Sequence, residues 1–145
     1  MQRIFFTVLF FLVVSNSQAQ NNSSIKKTIS MKEFILLVQV PVSYSTETAK
    51  AVGPKWDVVL AKWKEENRFV TSFVFPGESF IISGADRNTR PGPGLSNDLK
   101  QVSCIILRAE NLTEAVEQAK LCPVLDHAGA IEVREVPPRP VPTSK

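Results

Sequence analysis

The sequence predicts an α+β domain in which an antiparallel sheet carries two helices on one face. Apolar runs rich in strand formers recur at 32–40, 68–83, 101–109 and 130–136. Helical periodicity fills 45–67 and 111–122. Turn and breaker residues separate these segments and give the order β α β β–loop–β α β.

"KEFILLVQV" (32–40) is a continuous apolar run ended by Pro41, as expected of a buried first strand. From Ser45 to Asn67 the pattern is helical, with Trp56, Val59, Leu60 and Trp63 at i, i+3, i+4 and i+7 on one face. Gly53–Pro54 interrupts it. That predicts either a short helix, a break and a main helix begun by Pro54, or one kinked helix. Core packing is the plainer role for the two tryptophans, and lining a pocket between helix and sheet is the other.

"RFVTSFVFPGESFIIS" (68–83) reads as a hairpin turning at Pro76–Gly77. "GADRNTRPGPGLSNDLK" (84–100) reads as a long loop, a type that is often functional or mobile. "QVSCIILRA" (101–109) is the next strand. Asn111 is placed to cap a helix over 111–122, with Glu114 in capping-box position and Leu112, Ala115, Val116 and Ala119 as its buried stripe. Pro123 ends that helix, and "AIEVREV" (130–136) alternates as the last strand. This order is close to the ferredoxin-like pattern with the middle hairpin elaborated. Apolar residues fall on both faces of several strands, so the face without helices also needs cover. A second copy packing sheet to sheet would supply it.

Outside the domain, Arg3, the apolar run "IFFTVLFFLVV" and the small residues Ser17 and Ala19 compose a signal peptide over 1–19. The expected product is exported, periplasmic or secreted, with no membrane anchor after cleavage. Residues 20–31 are a polar lead-in and 137–145 a Pro-rich tail. The whole chain carries a net charge of +3, and losing Arg3 with the leader leaves +2, too little and too dispersed for nucleic-acid binding. Two cysteines and one histidine are a poor zinc set, so no metal or cofactor is expected.

The residues offer three groups with chemical potential. His127 beside Asp126 has the composition of a general-base pair, although neighbours in sequence need not touch, and a polar turn explains them equally. Asp86, Arg87 and Arg90 lie on the long loop, where two guanidinium groups can clamp a carboxylate or phosphate, and a solvated loop is the plainer account. Cys104 and Cys122 sit on a strand and at the end of the following helix. That topology permits a disulfide, with two buried thiols as the alternative. "NLT" at 111–113 matches a glycosylation acceptor, but Asn111 is better explained as a cap.

"MKEFILLVQVP", "CIILRAENLTEAVEQAKLCPVL" and "GAIEVREV" resemble the YCII-related family, and its DGPF branch in particular, over roughly residues 31–136. The resemblance implies a dimeric α+β barrel. The motif naming the branch survives only as "PGPG" (91–94), where Gly92 and Pro93 match, Pro91 replaces the acid and Gly94 the aromatic. The histidine–aspartate pair credited to some members near the first helix has no counterpart here, so that activity does not transfer. Together these readings point to an exported, homodimeric module that binds a small ligand or is non-catalytic. The alternatives are a small lyase or isomerase acting on a carboxylated or aromatic metabolite, and a protein–protein module using the tail or the long loop.

Overall fold

The structure, a computed structural model, describes residues 30–138. The leader, the lead-in as far as residue 29 and the tail from 139 lie outside the described residues. The fold is α+β, with an antiparallel sheet and two helices. In chain order it runs β1 (Lys32–Pro41), α1 (Thr46–Glu65), β2 (Phe69–Val74), β3 (Phe80–Ser83), β4 (Asn88–Pro91), β5 (Leu95–Ser96), β6 (Leu99–Ala109), α2 (Leu112–Ala119), a short 3-10 helix (Pro123–His127) and β7 (Ala130–Val136).

The four long strands lie in the order β2-β6-β1-β7, every neighbouring pair antiparallel. Strand alternation dictates the core. Phe34, Leu36, Val38 and Val40 point to one face and are fully buried, while Ile35 and Leu37 point to the other and are half-buried. Trp63 of α1 and Ala115 and Ala119 of α2 join the first group in one cluster, so both helices cover the same face. Each large side chain buried there stabilises the fold by about 1.5–3 kcal/mol.

The structure corrects three local expectations and decides between two alternatives at a fourth place. First, β2 and β3 do not form a hairpin: β2 pairs with β6, whereas β3 pairs only with β4, register Phe80↔Pro91 to Ser83↔Asn88. Pro76–Gly77 is thus a bend between two sheets. Second, the supposed loop at 84–100 holds the turn Gly84–Arg87, strand β4, and strand β5, which returns the chain to β6. Third, of the two outcomes open at Gly53–Pro54, a break or one helix, the structure has one helix, and α1 runs through Pro54. Pro54 sits on its exposed side, where water can satisfy the carbonyl that loses its donor. Ser45 caps this helix by accepting the Thr48 N–H at 3.1 Å. Fourth, the buried stripe of α2 narrows to Ala115 and Ala119, because small side chains let the helix lie close to the sheet and leave Leu112 and Val116 at its margin.

Two contacts fix the remaining geometry. A Cβ on Gly129 would lie 2.7 Å from the Gln39 carbonyl oxygen and 2.8 Å from that of Val124, so only glycine lets the last turn reach β1. At the opposite end, Arg68 joins four elements. Its backbone N–H donates to the Trp63 carbonyl and its own carbonyl accepts from Arg108 N–H, both at 2.7 Å. Its side chain donates to Glu114 at 2.6 Å and to Glu66 at 3.0 Å. Glu114 accepts the Glu110 N–H at 2.6 Å while its own N–H donates to Asn111 at 2.9 Å, a capping box displaced by one residue.

The Arg68 hydrogen bond, followed by the Glu110 N–H, holds the Glu114 carboxyl below its ordinary 4.5. A carboxyl depressed in the folded state adds stability above its unfolded value, and that addition disappears as pH falls through the folded value. Glu114→Gln should therefore cost about 1–2 kcal/mol at neutral pH. The gap between variant and wild type should close as pH drops below 4.5, as read by urea unfolding at several pH values.

Candidate functional site

An open cleft of about 1020 Å³ lies on the helix-covered side of the sheet. Its floor comes from Val38 and Val40 of β1 and Val102 of β6. One wall is the start of α1, with Tyr44, Ser45, Thr46, Ala49 and, two turns on, Trp56. The facing wall is Val74 and the segment Phe75–Ser79, joined by Pro93 and Gly94. Lys100, Gln101 and Ser103 add polar groups from β6, and Glu78 adds an acid.

A bulge in the sheet creates this floor. Val38 opposes Ser103, but Gln39 opposes Gln101, leaving Val102 as an extra residue in β6. Beyond the bulge Lys100 lies opposite the buried Val40, which carries its stem along the cleft face. Among the described residues neither Lys100 nor Glu78 has an ion-pair partner. The cleft thus offers an apolar base, an indole, a phenol, several hydroxyls and one charge of each sign. Partial burial pushes the Tyr44 phenol above its ordinary value, so it remains a neutral donor at neutral pH.

The two tryptophans, on one helix face in the sequence, divide between core and cleft. Trp63 is fully buried with its indole N–H donating to Gln118 Oε1 at 2.9 Å, whereas Trp56 is half-exposed at the cleft wall.

The residues singled out in the sequence do not gather in this cleft. His127 ends the 3-10 helix and meets Tyr44 edge to face, ring centroids 6.2 Å apart, so it stands behind the wall. The Asp126 carboxylate faces Lys55 at 3.2 Å, and no hydrogen bond among the described residues joins it to His127. Asp86 and Arg87 occupy the exposed β3–β4 turn, and Arg90 sits in β4 opposite Ile81. None of these three forms an ion pair among the described residues. Among the described residues no group of three His, Cys, Asp or Glu side chains is placed to hold a metal ion. No helix there is long and apolar enough to cross a membrane.

Cys104 and Cys122 are both free and both buried. Cys104 lies opposite Leu37 and Phe73 on the sheet face without helices, while Cys122 packs in the cluster on the helix side. The disulfide allowed by topology is not formed, because the sheet itself stands between the two thiols.

Tyr44, Lys100 and Glu78 went unnoticed in the sequence. Tyr44 carried a weak signal as the only tyrosine, placed beside the Ser45 cap. Lys100 carried none, since its position depends on a bulge that alternation does not announce. Compared with known protein families, the chain matches none, and a search of curated proteins finds no similar sequence.

Burial pushes the Cys122 thiol up to about 12, which keeps it protonated and unreactive at neutral pH. Iodoacetamide at pH 8 should leave Cys122 unmodified in the folded protein and alkylate it fully in urea, as read by peptide mass spectrometry. Modification at equal rates in both states would contradict this burial.

Proposed function

We propose that the chain is an exported small-ligand-binding module of the YCII-related type, taking a molecule with an apolar, ring-bearing body and a polar head. The cleft at the β6 bulge carries this reading. Its apolar floor and aromatic wall with a few polar groups at the rim have the composition of small-molecule sites in general. Trp56 and the valines suit the body of such a ligand, while Lys100 and the Ser45 and Ser103 hydroxyls suit an anionic head. His127 acts here through Tyr44 as a positioning residue. The spatial strand order, second-third-first-fourth in chain terms, supports the ferredoxin-like description.

The same reading includes a homodimer formed through the sheet face that bears no helix. Register places Phe73, Cys104 and Leu37 in one row across that face, with Ile106 and Ile35 in the next. Phe73 is 54% exposed at the end of its row. Charges rim the apolar centre as pairs within one chain, Glu33 with Arg108 and Glu132 with Arg134. Such a centre and rim match the usual anatomy of an interface.

Because Trp63 is sealed in the core, Trp56 reports on the cleft. Titrating the mature 20–145 protein with aromatic carboxylates should change its fluorescence. Trp56→Phe should abolish the change, and Lys100→Ala should weaken binding about fivefold to tenfold. A flat titration across the panel refutes the cleft reading. Sedimentation should show a dimer that Phe73→Glu converts to monomer, and a wild type that is monomeric at tens of micromolar sinks the dimer.

A further inference from the structure

The β3–β4 hairpin stands apart from the rest of the domain. Its two strands pair with one another, and neither packs substantially on any other helix or strand. A hairpin of four-residue strands is at best marginally stable alone. Phe80 and Ile82, which share one of its faces by alternation, are 63% and 67% exposed. The other face is turned to its own root, where Ile81 Cδ1 lies 3.7 Å from the Cβ position of Gly94.

Both roots of this hairpin are walls of the cleft. The chain leaves β2 through Phe75–Ser79 and returns through Pro93 and Gly94, and these residues line it. Each root holds a glycine with positive φ, Gly77 at 93° and Gly92 at 102°. Neither has any neighbour within 4 Å of its Cβ position, and the Gly92 N–H donates to the Ser79 carbonyl at 2.8 Å, which closes the arm beside its two roots. An arm without packing and a glycine at each root therefore stand at the mouth of one cavity, and the arm carries an apolar face without cover.

We propose that the β3–β4 hairpin is a hinged cover that swings about Gly77 and Gly92 to close on the cleft when an aromatic anion occupies it. This rests on the cleft reading and adds to it the element that shuts the site. Closure sets Phe80 and Ile82 against the ring of the ligand, removing both from water, and leaves the head group at Lys100. Ligand binding and ordering of the arm are then one event, since the arm gains its packing only from the occupied site.

The probe is anilinonaphthalene sulfonate, an aromatic anion that accepts energy from Trp56. Nitroxide labels at Asp86→Cys on the hairpin turn and Lys50→Cys on α1, in a Cys104→Ser background, measure the distance from arm to cleft wall. The expected result is Trp56-sensitised emission, a shorter label distance on adding probe, and binding about tenfold weaker in Phe80→Ser/Ile82→Ser. Both of these side chains are exposed, so the double variant should keep the wild-type melting temperature. Probe bound beside Trp56 with an unchanged label distance overturns the cover and leaves the cleft reading standing. No emission sensitised by Trp56 at millimolar probe overturns both.

Discussion

A sheet covered on one face leaves alternate side chains of each strand a single place to be dry, and β1 meets that constraint along its whole length. Phe34, Leu36, Val38 and Val40 are all but fully excluded from water, and both helices lie on them. Because β1 pairs with β6 on one side and β7 on the other, its alternation sets the register of both neighbours. A slip of one residue would expose four large side chains together. The small residues of α2, the Gly129 turn and the Arg68 network each hold an element at the distance this arrangement requires.

The cleft follows from the one place where the pattern is broken. An extra residue in β6 bends the strand beside Val38 and brings Lys100 opposite Val40. Near that point the first turn of α1 and the roots of the hairpin border the floor without covering it. Core and cavity are therefore continuous: Val38 and Val40 belong to both.

Much of the frame was legible in the residues. "AIEVREV" alternates and is β7, "KEFILLVQV" is β1 apart from its last residue, and Asn111 caps α2 as its spacing suggests. Local chemistry failed where a tertiary partner decides the outcome. Pro76–Gly77 has the look of a hairpin turn, but β6 competes for β2 and wins with a longer ladder. Gly53–Pro54 leaves a break and a single helix equally open, and the burial of Val52 and Trp63 on either side goes with the single helix. The site was less legible still. His127 and the loop arginines stand out by residue type, whereas the cleft is made of valines, serines and a lysine whose meeting depends on the bulge. Trp56 was visible, and its periodicity placed it with Trp63 although only the latter is sealed.

The attachment of the β3–β4 arm has a consequence for how this chain can change. β2 pairs with residues 103–107 of β6 and β5 with 99–100, so the chain leaves and rejoins the sheet along the same edge of a single strand. Everything between Val74 and Leu95 is an insertion whose two ends are already held together by β6. Lengthening such an insertion costs little, about 0.6 kcal/mol for each doubling in a flexible loop. The core would not register the difference, since no buried residue lies in the segment. The arm is in that sense a cassette: its length and sequence are free to diverge while the strands beneath it stay in register, and the domain need not refold to accommodate the change.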